Sequence, residues 1–319
     1  MGRHSMGPMR RLSGSTLPTA MVDVALMVEG QSSLTWPRWQ RICQAAESLG
    51  FAALYRSDHL VSAQPPNEDT LELFTSLTWL ASHSSRLEFG PLVSPLTFRH
   101  PVHLAQSARS LDELSGGRFI LGLGAGWSRR EHHMYGFEMY IPKDRMDRLE
   151  EGLTIITSLL RRTGPLTFEG RYFKLNEATI QCGPHRPKIL VAGRGRNRSL
   201  PLAACYADAW NAMFVSPAEL ANMNALLDEL LAKAGRKPQD LCRTVMQGVE
   251  VGRTHTEVEA KLRARAWAFW REPGLFAGGA AQLRDMLGEF ERAGADQVIL
   301  QWLDLDDLDG LEVLANALL

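Results

Sequence analysis

The chain has 319 residues, 45% hydrophobic and 22% charged, which is enough apolar surface for a large core and carries no bias toward disorder. Its 35 lysines and arginines nearly cancel its 36 aspartates and glutamates, so no net field favours nucleic acid or an anionic membrane as a partner. No window approaches the ~20 apolar residues that span a bilayer. Cys43, Cys182, Cys205 and Cys242 are too scattered for a disulfide framework or a zinc site, which fits a reducing cytoplasm.

Residues 1–20 place Arg3, Arg10 and Arg11 among Gly, Ser and Pro without the apolar centre of a secretory signal, and read as a disordered arm, native or appended. From residue 21 to residue 319 the pattern is that of a folded domain. Apolar runs at Met21–Val28, Phe51–Tyr55, Leu87–Val93, Phe119–Leu123, Ile189–Ala192, Ala207–Ala212, Thr244–Val251 and Gln297–Trp302 alternate with amphipathic helical segments. Thr35 is placed to cap a helix with Pro37 in its first turn, and Gly50 follows its end just before Phe51. A helix is expected over His103–Leu114. Pro142 opens the longest one, with Arg145, Arg148, Glu150 and Glu151 on the polar side and Leu149, Leu153, Ile156 and Leu160 opposite. Between Gly164 and Pro187, Leu166-Thr-Phe168 and Tyr172-Phe-Lys-Leu175 flank Glu169-Gly-Arg171, the pattern of a hairpin excursion.

Repeated strand and helix imply a parallel sheet. The fold class expected is α/β, a single-domain (β/α)8 TIM barrel with a hairpin insertion between helix 4 and strand 5; a doubly wound sheet is the rival. A barrel puts chemistry at the C-terminal ends of its strands. There the sequence offers Ser57-Asp58-His59, Val93-Ser94, Gly126-Trp127, Gly193-Arg194-Gly195, Asn211 and Gln301-Trp302. Gly122-x-Gly124-x-Gly126 fits either a dinucleotide-type turn or tight packing. Gly193-Arg-Gly-Arg196, leading into a short helix, favours a phosphate over a merely solvated turn, since glycines let the backbone approach and the helix start attracts anions. His132-His133 lacks carboxylate partners at helical spacing and reads as a solvated face, so no metal is expected. Aromatics at a barrel mouth, Trp127 and Trp302 here, can wall a flat ligand.

Taken together, Ser57-Asp-His59, Thr97-Phe-Arg-His-Pro101, Ser115-Gly-Gly-Arg-Phe-Ile-Leu-Gly-Leu-Gly-Ala-Gly-Trp127, Arg145-Met-Asp-Arg-Leu-Glu-Glu151, Tyr206-Ala-Asp-Ala-Trp-Asn211 and the Gln301–Gly310 ending resemble the bacterial luciferase-like superfamily, in particular its deazaflavin (coenzyme F420)-dependent oxidoreductase branch. The resemblance implies a barrel that holds a deazaflavin across its mouth, generally as a homodimer. It implies that His59 lies beside the reactive ring carbon as the catalytic residue and that Asp58 helps bind the cofactor. A non-prolyl cis peptide would support the ring near Leu92 and Val93, with Ser94, Ala125 and Gly126 adjacent. The phosphate would sit on Gly193, Arg194, Gly195 and Arg196, with Arg194 or Arg196 reaching the acidic tail. Trp36, Trp127, Asn211, Glu250, Gln301 and Trp302 are the residues expected to line the pocket for a small organic substrate.

The chain departs from the sugar-phosphate dehydrogenases of that branch. It has Ala63, not Trp, shortly after Ser57-Asp-His59, and Trp127, not Glu, after the glycines, which speaks against sugar-phosphate oxidation. The alternative within the superfamily is an FMN-dependent two-component monooxygenase fed by a separate reductase. A catalytically silent flavin-binding barrel is a further alternative.

Overall fold

Each of the eight apolar runs becomes a strand, and each strand hands the chain to a helix on the outside of the sheet. The computed structural model describes residues 22–161, 164–181, 183–264 and 274–319; the arm expected over residues 1–20, Met21 and Cys182 lie outside the described residues. The chain runs β1 (Asp23–Val28), α1 (Trp36–Leu49), β2 (Ala53–Arg56), α2 (Leu73–His83), β3 (Glu88–Pro91), β4 (Ser94–Pro95), α3 (Pro101–Ser115), β5 (Ile120–Gly124), α4 (Arg129–Tyr135) and α5 (Pro142–Arg161). It continues through β6 (Leu166–Glu169), β7 (Lys174–Ala178), β8 (Lys188–Ala192), α6 (Ser199–Tyr206), β9 (Ala209–Met213), α7 (Pro217–Lys233), β10 (Cys242–Val251), α8 (His255–Ala264), β11 (Phe276–Gly278), α9 (Ala280–Arg292), β12 (Gln297–Trp302) and α10 (Leu308–Leu318).

The order of paired strands is β3-β2-β1-β12-β10-β9-β8-β5-β4, all parallel. Because β4 resumes the line of β3 two residues later, its pairing with β5 and a parallel bridge between Phe89 and Phe119 join the two ends of the row into a ring. The barrel is therefore the fold, and the doubly wound rival, whose sheet stays open, is excluded. The run Leu87–Val93 becomes β3 over Glu88–Pro91, and the Leu92–Val93 peptide between β3 and β4 is cis, at the position the resemblance implies.

Period-two alternation sorts the strands into two layers. Ala25 and Met27, Ala53 and Tyr55, Ile120, Leu190, Ala209, Met246 and Ile299 fill the barrel interior. Their neighbours Leu26, Leu54, Leu121, Val191, Trp210, Val245 and Leu300 pack outward against the helices in the larger core. On α5, Leu149, Leu153, Ile156 and Leu160 are buried as their spacing predicts. At α1, Gly50 takes the left-handed conformation at the C-terminal end, but the Thr35 side chain makes no capping hydrogen bond, so that expected cap is positional only.

β6 and β7 form the expected antiparallel hairpin between α5 and β8. Glu151 of α5 holds it, accepting from the Arg171 amide at 2.8 Å, Tyr172 at 3.0 Å and Phe173 at 3.2 Å. β11 adds to β10 outside the ring; its three residues are too short to show a periodicity in sequence. No helix among the described residues is long and apolar enough to cross a membrane.

Candidate functional site

His59 leaves the C-terminal end of β2 and turns its Nδ1 onto Oε1 of Glu131, 2.8 Å away. The other oxygen of Glu131 accepts the Leu60 amide at 3.1 Å, so one buried carboxylate fixes both the ring and the backbone beside it. The Trp127 indole meets the same imidazole edge-on, 5.3 Å between centroids and at 76°. Burial lowers the proton affinity of His59, but the hydrogen bond and charge of Glu131, with the charges of Glu29 and Asp58, more than offset it, and the imidazole titrates above its ordinary value.

Glu131 escapes a reading of the sequence because it sits in the charged string Arg129-Arg-Glu-His-His133. The expectation that His132-His133 forms a solvated face is corrected for His132. That ring is buried, bonding the Ser128 carbonyl at 2.6 Å and the Thr97 hydroxyl at 2.8 Å, while His133 is exposed. α4 is a short helix laid against the loop that follows β4, so Glu131 and His132 face in.

Asp58, next to His59, is buried and faces away from the rim. Ser94 donates to its Oδ2 at 2.7 Å, and Arg99 engages both of its oxygens. Burial raises its pKa, opposed by Arg99, Ser94 and Arg56. Arg56 lies beneath, fully enclosed, with its pKa pulled down to about 10 by burial; it donates to the carbonyls of Leu71 and Ser57 and to the Ser76 hydroxyl. This scaffold clamps Ser94, one residue beyond the cis peptide. On its other side, Val93 packs on the bare backbone of β5: a Cβ on Gly124 would stand 2.6 Å from a Val93 methyl. Ala125 and Gly126 continue from β5 into the loop that carries Trp127, with Gly126 at a φ of 78°.

Across the mouth, Gly193 follows the end of β8 at a φ of 137°, a conformation that disfavours any side chain. The Trp210 indole donates to its carbonyl at 2.9 Å, and its own amide donates to Asn211 at 3.0 Å. Gly195, in the loop ahead of α6, accepts the Leu200 amide from the first turn of that helix at 3.0 Å. Arg194 reaches the Phe214 carbonyl at 3.0 Å and Arg196 is exposed, whereas Arg198 is spent on Asp147 at 2.6 Å.

The remaining pocket residues divide by parity. Asn211 shares the inward face of Ala209 and bonds Thr244 at 2.8 Å, with its Nδ2 buried and without a partner among the described residues. Glu250, buried, shares the inward face of Met246. Gln301 follows Ile299 inward and donates to Glu29 at 2.6 Å; Gln31 donates to the same carboxylate at 2.8 Å. Glu29 and Gln31 are further site residues that no motif flagged, and Arg99 lies in the Thr97–Pro101 segment without having been given a role. Trp302 has the opposite parity and packs in the outer core, so the expectation that it walls the pocket is corrected. Trp36, 37% exposed, opens α1 beyond the end of β1.

The model of the luciferase-like monooxygenase family matches residues 20–309. The chain belongs to that family. Among curated relatives, a phthiodiolone/phenolphthiodiolone dimycocerosates ketoreductase of Mycobacterium tuberculosis (strain ATCC 25618 / H37Rv) is 33% identical over 230 residues, 70% of this chain and 57% of that relative. This chain thus spans little more than half the length of that family member. An F420-dependent hydroxymycolic acid dehydrogenase from the same strain is 30% identical over 268 residues, covering 81% of this chain and 69% of the relative. Among solved structures, an F420-dependent secondary alcohol dehydrogenase in complex with an F420-acetone adduct superposes with a TM-score of 0.81 at 18% identity, over 93% of this chain and 98% of that one, which confirms the fold.

Proposed function

We propose that this family member is an F420-dependent oxidoreductase that transfers a hydride between the deazaflavin and a small organic carbonyl or alcohol. The observation that carries the reading is the convergence, on one rim of the barrel, of the His59–Glu131 pair with Ser94, which the neighbouring Asp58 anchors at the start of β4. The F420-dependent dehydrogenase and the ketoreductase among its relatives support it.

The residues present fit a flat ring with an anionic tail. Gly122 and Gly124 leave room for Pro91 and Val93 to seat against β5, which sets the wall a ring would lie on, and the Gly193–Arg196 loop runs into a helix N-terminus. Bound F420 would supply two-electron hydride chemistry. Leu92, Val93 and Ser94 would back its ring beside Ala125 and Gly126. Asp58 would act through the Ser94 it anchors. Gly193, Arg194, Gly195 and Arg196 would take the phosphate and acidic tail. His59 would move the proton that accompanies the hydride. Trp36, Trp127, Asn211, Glu250 and Gln301 would border the substrate in a water-poor cleft. A cytoplasmic homodimer is proposed on the same resemblance.

Parallel fluorescence titrations of cofactor-free protein with F420 and with FMN test this reading. Tight F420 binding and weak FMN binding are expected, and His59→Ala should keep F420 while losing most turnover. The reverse preference would establish the FMN-dependent monooxygenase, with a separate reductase as partner and oxygen uptake as its signature.

A further inference from the structure

His59 has two ring nitrogens and only one of them is committed. Nδ1 is held by Glu131 at 2.8 Å, while no described residue bonds Nε2, and the side chain is 22% exposed against 2% for Glu131. The carboxylate that grips Nδ1 cannot swing aside, because its second oxygen is tied to the Leu60 amide at 3.1 Å and its helix is seated by the buried His132. A carboxylate accepts only, so the Nδ1 it faces carries a proton in both charge states of the ring.

We propose that Glu131 is a positioning residue that fixes His59 as the Nδ1–H tautomer and aims Nε2 at the substrate oxygen, making the pair the proton donor when a carbonyl is reduced. The inference rests on the hydride-transfer reading above. In the balance of that step the carbonyl carbon gains the hydride and its two electrons from the reduced deazaflavin, and the π pair stays on oxygen. That oxygen takes the Nε2 proton of the imidazolium, and the ring is left neutral with its Nδ1–H still on Glu131. Alcohol oxidation is the same transfer reversed.

The charges that face His59 all favour the cationic form. Glu131 comes from α4, Glu29 from the loop after β1, and Asp58 from the end of β2, the last already shared with Arg99 and lying near Arg56. Trp127 meets the ring edge-on and brings no charge to it. The contact with Glu131 thus raises the proton affinity of the half-buried imidazole, against the opposing pull of burial.

The experiment is a pH titration of the full chain labelled with 15N and 13C histidine, with the His59 signals assigned by their loss in His59→Gln. In the wild type the neutral ring should be the Nδ1–H tautomer, and its proton affinity should exceed that of an ordinary histidine, near 6.5. Glu131→Gln should lower that affinity by about tenfold or more and mix the tautomers, as the removed charge leaves burial unopposed. A neutral wild-type ring protonated on Nε2 in place of Nδ1 would overturn the proposal without any variant, and so would a titration unmoved by Glu131→Gln. With F420 and a ketone, Glu131→Gln should keep F420 affinity within about twofold, lower kcat by about a hundredfold, and shift the pH profile of kcat/KM to lower pH. If F420 does not bind at all, the hydride-transfer reading fails by itself, while the histidine spectra still decide whether Glu131 sets the ring.

Discussion

Arg99 grips Asp58 with both terminal nitrogens and reaches Glu72 at 2.8 Å with one of them. Since Asp58 is buried, this ion pair is the condition for keeping a carboxylate under the floor of the site. Arg99→Ala should therefore cost about 3–5 kcal/mol at neutral pH, the range for stranding one partner of a buried pair. Asp58 already titrates above its ordinary value, and losing Arg99 would raise it further. A carboxyl whose folded pKa lies above its unfolded one destabilises the fold once ionised, so the variant should gain stability as pH falls from neutrality toward that pKa. Asp58→Asn in the Arg99→Ala background should recover most of the loss. Denaturant melts between pH 5 and 8 check both statements, and an Arg99→Ala midpoint that rises with pH would refute the role.

Glu47 gives the opposite sign. Its carboxylate collects the Ser85 amide at 3.0 Å, the Ser85 hydroxyl at 2.8 Å, the Arg86 amide at 2.9 Å and the Leu87 amide at 3.1 Å, tying α1 to the turn before β3. Partial burial pushes its pKa up, but these bonds prevail and hold it below the usual 4.5. The stability they add is present above that value and lost as pH falls through the folded pKa. Glu47→Gln should cost about 1–3 kcal/mol at pH 7. The gap from wild type should narrow on acidification below 4.5, as read by calorimetry at both pH values.

The eight strands were legible because a barrel strand is apolar on both faces and its helices are amphipathic, and both patterns survive in a single sequence. The ends of the strands were legible too, so His59, Ser94, Gly193 and Gln301 fall where expected. What stayed hidden are groups whose meaning comes from a distant partner. Glu131 is an ordinary charged residue in its local string, and Arg99 stood in a recognisable motif without a role; only packing across 72 and 41 residues shows what each holds. Trp302 went wrong by one residue of parity. The run Gln297–Trp302 is buried along almost its whole length, so the sequence does not say which side chains point inward.

Gly193 tests the anion loop. Its φ of 137° strains any other residue, and a Cβ there would lie 2.7 Å from the Ser199 hydroxyl at the start of α6. Gly193→Ala should weaken F420 binding at least tenfold, since it displaces the backbone amides ahead of the helix. FMN, which also carries a phosphate, should lose a comparable factor. Loss of F420 alone would move the phosphate away from this loop, and unchanged affinity for both would remove the loop from the site. Arg196→Ala, which touches only the exposed charge, should weaken F420 most at low salt and little at high salt.

Trp127 is 60% exposed yet lies edge-on to His59, so its contribution to the fold and its contribution to the site separate cleanly. Removing a mostly exposed side chain shifts stability by only about 0.5 kcal/mol. Deleting a wall of the pocket should instead raise KM for an apolar ketone about tenfold, with a smaller fall in kcat, because Glu131 still sets the ring. Trp127→Phe keeps an aromatic edge and should restore most of the KM. Steady-state kinetics of Trp127→Ala and Trp127→Phe, read beside their melting curves, decide the matter. A Trp127→Ala enzyme with normal KM but kcat reduced a hundredfold would mean that the indole orients His59 directly, in which case the histidine is held from two sides and not by Glu131 alone.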